Sequence, residues 1–121
     1  MHDEHGFQVP EIQDPVTGRI DGMRLARYFQ VDAEAIAAML KVPFQALRAD
    51  PSAQSIQAGL QDVAFVLSGL LELTASKEQT LIWLTAPHPV LDEASPIELM
   101  MGSEMGVVVN LVDDLLSGAP A

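Results

Sequence analysis

The sequence predicts an all-α fold. Three observations carry that prediction. Apolar residues recur at helical steps along nearly every segment after Asp21. Ser, Asp and Pro stand where such segments would begin as helices. No pair of alternating segments is joined by a hairpin signal. With 121 residues, 49% of them apolar, the chain can bury a core as one domain or as two small helical halves.

Taken in order, residues 1–18 read as a mobile leader punctuated by Pro10, Pro15 and Gly18. Met23, Leu25, Ala26 and Phe29 then fit a short amphipathic helix. Asp32 caps a second helix, with Ile36, Ala37 and Leu40 turned inward. After a break of about two residues, Pro43 suits the first position of a third helix, because its missing N–H has no intrahelical partner there. Asp50-Pro51 ends it. Residues 52–75 form the longest helix. Ile56, Leu60, Val63, Leu67 and Leu70 make one stripe, while Phe65, Val66, Leu71 and Leu73 lie off it. The second half of this helix is therefore apolar on more than one face. That marks it as central to the fold or packed on a second subunit. Ser76 starts the next helix with Gln79 as its capping-box partner, and Ser95-Pro96 with Glu98 repeats the device. The last segment begins at Ser103. Its Val107-Val108-Val109 run favours strand taken alone. Val108, Leu111, Val112 and Leu115 nevertheless make a helical stripe, and Gly118 sits where a helix would stop.

The net charge is −11. Residues 1–18 carry four acids and no Lys or Arg; residues 19–50 hold five of the six basic residues against four acids; residues 51–121 hold Lys77 against nine acids. Such a chain avoids nucleic acid unless the charge is segregated, and pairs with basic partners. There is no cysteine, which excludes disulfides, thiolate metal sites and a cysteine nucleophile. The stretch MHDEHGFQVPEIQD has no apolar centre and is not a secretory signal. The longest apolar run falls far below the roughly 20 residues a membrane span needs. The expected setting is cytoplasmic, with no membrane partner.

Residues 19–51 suggest a helix-turn-helix. Ile36-Ala37 stands where the first helix carries its small inward pair, and Lys41 replaces the glycine common at the turn. Val42 is the expected buried turn residue, and Leu47 the buried residue of the second helix. Phe44, Gln45 and Arg48 then face outward, where Gln can read adenine and Arg can read guanine or hold phosphate. Arg24, Arg27 and Lys41 complete this candidate DNA-binding set. The bland reading is helix packing without DNA. Five bases against four nearby acids are few for a phosphate-binding surface.

Catalysis has little to rest on. The chain has no Gly-rich phosphate loop, nucleophile elbow or His-Glu-x-x-His. Asp92-Glu93 and Asp113-Asp114 are sequence neighbours that point different ways on a helix. His2, His5 and His88 show no metal-ligand spacing, and His88 between two prolines reads as an exposed loop residue. Trp83 reads as a core or subunit-packing anchor. Met100, Met101 and Met105 read as core filler, and Asp113-Asp114 as a solvated helix face. No catalytic residue, metal site or cofactor is expected.

Residues 74–118 carry a more specific pattern. Trp83-Leu84 closes a helix, Pro87 and Pro89 follow, then Leu91, Pro96 with Leu99, Gly106, and Val109, Val112 and Leu115. This order resembles the toxin-binding domain of the Xre/MbcA/ParS antitoxins, which partner RES-domain toxins. The helix-turn-helix-like region before it agrees with that family's usual N-terminal half. The resemblance implies four parts: a leader at 1–18, a helix-turn-helix-like region at 19–51, a central helix at 52–75 and a toxin-binding domain at 76–121. It implies a non-enzymatic antitoxin that occludes the active site of an NAD-consuming, ADP-ribosyltransferase-like toxin. It also implies a homodimer, and operator DNA as a candidate second partner. The implied toxin-facing residues are Asp92, Glu93, Asn110, Asp113, Asp114, Ser117, Gly118, Ala119, Pro120 and Ala121. Two features depart from the family: Asp92-Glu93 stands where glycine is common, and the tail ends in small residues. The alternative reading is a DNA-binding helix-turn-helix repressor with a helical dimerisation domain.

Overall fold

In a computed structural model, residues 10–118 are described. They form seven α-helices: α1 (Gly22–Phe29), α2 (Ala33–Leu40), α3 (Phe44–Ala49), α4 (Gln57–Thr74), α5 (Lys77–Thr85), α6 (Pro96–Met101) and α7 (Met105–Leu116). Among the described residues there is no strand, only the isolated bridges Gln13–Ile20 and His88–Ala94. The chain divides into two compact units, Met1–Phe65 and Val66–Ala121. The division falls inside α4. The first turns of α4 serve one unit and the rest serve the other.

In the first unit, α1, α2 and α3 pack mutually. Asp21 caps α1 by accepting from the amides of Met23 and Arg24, both at 2.9 Å. Asp32 caps α2 through the amide of Glu34 at 3.0 Å. Each cap satisfies donors that the first turn leaves open. Both helices end on a left-handed residue that is not glycine: Gln30 at φ 63° and Lys41 at φ 62°. In each case the following amide reaches back five residues, Val31 to Ala26 O and Val42 to Ala37 O. Lys41 thus performs the turn that a glycine usually makes. Pro43 sits one residue earlier than expected. It is the N-cap of α3, with ψ 146°, because the chain leaves the left-handed turn extended. Gly22 sits where α1 meets α3: a Cβ there would lie 2.7 Å from Leu47 Cδ1.

The expected leader is corrected for residues 10–18. Pro10–Ile12 is a single 3-10 turn, and Ile12 is fully buried. The Asp14 carboxylate accepts from the Val16 amide and the Ser52 hydroxyl, each at 2.8 Å. Arg19 Nε donates to Ser52 O at 2.8 Å. The prolines and Gly18 shape a clasp here; residues 1–9 lie outside the described residues. A second fastening is more buried. The Gln57 side chain accepts from the Ile20 amide and donates to the Ile20 carbonyl, both at 2.9 Å. The amide group thus pairs with one backbone residue as a neighbouring strand would. The apolar residues buried in this unit include Ile20, Leu25, Phe29, Ile36, Leu47 and Leu60.

In the second unit α6 packs on both α5 and α7. Its buried apolar residues are Val66, Leu67, Leu70, Leu84, Met100, Val108 and Val112. The triple-valine run is helical, because Val108 and Val112 one turn apart gain more from burial than the intrinsic strand preference costs. Gly69 admits α7 closely: a Cβ there would lie 2.7 Å from Val112 Cγ1. By length and composition alone, Gln54–Thr74 could cross a membrane. Leu60, Val63, Ala64, Val66, Leu67 and Leu70 along it are instead buried within the protein.

Replacing Gln57 by Ala strands both polar groups of Ile20 and is expected to cost about 2–4 kcal/mol in urea unfolding. Gln57→Glu keeps an acceptor for the Ile20 amide but no donor for its carbonyl, so it should fall between wild type and Gln57→Ala. Equal stability of all three chains would show that water replaces the clamp. Asp14 makes a pH prediction. The Val16 amide first, and the Ser52 hydroxyl second, hold its carboxyl below the ordinary 3.8. Its contribution is therefore complete above that value and is lost as pH falls through the lower folded value. Acid unfolding of Asp14→Asn should accordingly show a flatter stability profile below about pH 4 than wild type.

Candidate functional site

The second unit holds the residues expected to meet a toxin, on two elements. One is the connection between α5 and α6. Ser76 caps α5 through the Gln79 amide at 3.1 Å. The expected return bond from Gln79 is replaced: the Ser76 amide goes to Thr74 Oγ1 at 3.3 Å. Thr74 Oγ1 also lies 3.1 Å from Thr80 Oγ1, and Thr80 Oγ1 donates to Ser76 O at 3.0 Å. This hydroxyl cluster fixes the rotation of α5 with Thr80 inward, only 1% exposed. At the other end Ala86 turns extended before Pro87, which stops the helix.

The connection then folds back on the helix it has just left. The rings of His88 and Trp83 lie 4.6 Å apart at 42°. His88 Nε2 donates to the Trp83 carbonyl at 2.9 Å, which assigns the proton to Nε2. His88 is therefore half-buried and bonded, not the exposed loop residue expected. Pro89–Leu91 makes one 3-10 turn. Asp92 and Glu93 follow at φ 56° and 67°, two successive left-handed residues with side chains. The bridge of the His88 amide to Ala94 O at 3.1 Å closes the loop. Ser95 and Glu98 form the complete capping box expected, at 3.3 and 3.1 Å. Asp92 and Glu93 are exposed at the tip of this knuckle.

The other element is α7. Asn110, Asp113 and Asp114 are exposed along it, opposite Val108 and Val112. Ser117 and Gly118, also exposed, end it, with Gly118 at φ 79°. Ala119, Pro120 and Ala121 lie outside the described residues. The N-cap Glu104 makes no side-chain cap, and the last turn holds Asp113 and Asp114 with no basic residue. Carboxylates at a helix C-terminus oppose its dipole, by about 0.3–1 kcal/mol each at an exposed site. The α7 helix thus presents two negative charges where its own backbone disfavours them.

The helix-turn-helix-like set lies in the first unit. Gln45 and Arg48 are exposed on α3, opposite the buried Leu47, and line a shallow depression with Ala49. Phe44 is half-buried, with the Arg48 guanidinium 5.8 Å from its ring centre. Val42 is half-buried, not fully buried as expected. Lys41 and Arg27 are exposed. Arg24 lies 3.9 Å from the Asp21 carboxylate, one turn away on the first helix. Among the described residues no three His, Asp or Glu side chains are grouped to hold a metal ion.

The sequence reading missed the Thr74–Ser76–Thr80 cluster and the His88 stack. The first had a faint signal, two threonines flanking a serine cap; the second had none beyond proximity. Comparison with protein-family models, with curated proteins and with solved structures returns no match.

Proposed function

We propose that this chain is the antitoxin of a type II toxin–antitoxin pair. Its second unit binds a RES-domain, NAD-consuming toxin and occludes the active site, and the chain itself catalyses nothing. The cytoplasm is the setting that this reading carries with it. The observation behind it is the ordered set Trp83-Leu84, Pro87, Pro89, Leu91, Pro96 and Leu99, in which Trp83 and the three prolines each have a definite task. Trp83 receives the stacked His88, Pro87 stops α5, Pro89 opens the turn and Pro96 restarts the helix behind Ser95. The unfavourable carboxylates of α7 add support. A cationic surface, such as a cleft that binds an anionic dinucleotide, would relieve Asp113 and Asp114 on docking.

Co-expression with the toxin encoded beside it tests this reading. Wild type should restore growth. Asp113→Asn/Asp114→Asn should be more stable in isolation, by about 0.6–2 kcal/mol, yet protect at least tenfold less well. A toxin that stays lethal beside wild type would sink the reading. Full protection by the double variant would remove α7 from the contact.

A second reading, repression of its own operator, is favoured by the exposed Gln45 and Arg48 on α3. A gel shift with upstream DNA across a salt series checks it. Binding should weaken steeply with salt and be lost in Gln45→Ala/Arg48→Ala, and no shift at low salt, with or without the toxin, eliminates it.

A further inference from the structure

We infer that residues 12–20 are a strap that sets the position of α3 from outside it, and that α3 loosens when the strap is released. The first observation is how little α3 holds of its own. It is six residues long, Pro43 gives it no side-chain cap, and Leu47 is its one buried residue. Its neighbours are better provided. Asp21 caps α1, which buries Leu25, Ala26 and Phe29, and Asp32 caps α2, which buries Ile36, Ala37 and Met39. A helix as short as α3 does not persist on internal bonds alone. Beyond Leu47, its support comes through its ends.

The second observation is what holds the exit. The chain leaves α3 through Asp50, Pro51 and Ser52, and Ser52 is 5% exposed. The Ser52 hydroxyl donates to the Asp14 carboxylate and its carbonyl accepts from Arg19 Nε, both at 2.8 Å. Pro51 O accepts from the Gly22 amide at 2.8 Å. Two of these three bonds come from the strap. The strap is in turn fixed independently of α3. Ile12 is fully buried, its carbonyl accepts from the Asp21 amide at 2.8 Å, and Ile20 is paired with Gln57. Asp14 and Arg19 are tied to each other, the Asp14 amide donating to Arg19 O at 2.8 Å. Between them Pro15, Val16, Thr17 and Gly18 stand exposed. A ligand that pulls this tip away withdraws both bonds from Ser52 together. It needs only to bind the released strap better than the fastened one. The effect reaches Gln45 and Arg48, which α3 carries, without any contact to them. It does so whether or not α3 meets DNA, so the proposal rests on neither functional reading.

Amide hydrogen exchange of the full chain, followed by nuclear magnetic resonance, tests it. Ser52→Ala removes the donor to Asp14, and Arg19→Met removes the Nε donor while keeping an unbranched side chain. The reporters are the amides of Leu47 and Asp50, bonded to Pro43 O and Ala46 O. The references are those of Val31 and Ile36, bonded to Ala26 O and Asp32 O at the end of α1 and the start of α2. In the double variant the reporters should exchange roughly tenfold faster relative to the references. Each single variant keeps one strap bond to Ser52 and should show a smaller rise, so the singles decide the matter if the double variant does not fold. A uniform rise at all four amides overturns the proposal, because the strap is then a general staple of the unit. Unchanged exchange at Leu47 and Asp50 overturns it as well.

Discussion

A helix of six to nine residues has no stability of its own in water, and α1, α2, α3, α5 and α6 are all of that length. Everything else in the structure answers this constraint. Each helix needs its ends satisfied and one face covered, because too few internal bonds form to repay nucleation. Asp21, Asp32, Ser76 and Ser95 close four of the starts. Burial of Leu25, Ile36, Leu47, Leu84 and Met100 covers one side chain or more on each of these five helices. The longest helix among the described residues, α4, contributes buried residues to each unit in turn.

How much of this was legible depends on whether the signal is local. The N-caps were, because a cap is a property of four adjacent residues. Helix ends were less so. Gln30, Lys41 and Ala75 take left-handed conformations that glycine would have announced. The clasp at residues 10–18 was read as a leader, because one buried isoleucine sets no period and the prolines beside it look like punctuation. Gln57 was invisible for a different reason. Its partner, Ile20, lies 37 residues away, and nothing in a glutamine signals that it will pair with distant backbone.

The candidate site divides the same way. The Ser95–Glu98 box and the helix stop before Pro87 follow from neighbouring residues and were readable. The stack of His88 on Trp83 was not, since the chain leaving α5 after Thr85 can place an imidazole almost anywhere. Nor could periodicity say which side of α5 faces water. With leucine, isoleucine and tryptophan on successive positions, the helix has no apolar face to orient it. The orientation is decided by the hydroxyl groups of Thr74 and Thr80, which meet each other and the Ser76 carbonyl. Electrostatics was the most legible layer, because the excess of acid after residue 50 is a count and needs no geometry.

The left-handed turns have a consequence for how the molecule tolerates change. Gln30, Lys41, Ala75, Asp92 and Glu93 all hold a conformation that a side chain disfavours by about 1–2 kcal/mol each. All five are exposed, so no core contact requires those side chains. The fold therefore keeps a margin it has not drawn on. It can absorb damaging substitutions in its small cores if these surface turns relax toward glycine or asparagine. Its tolerance of mutation is set less by the buried residues than by five positions at the ends of its elements.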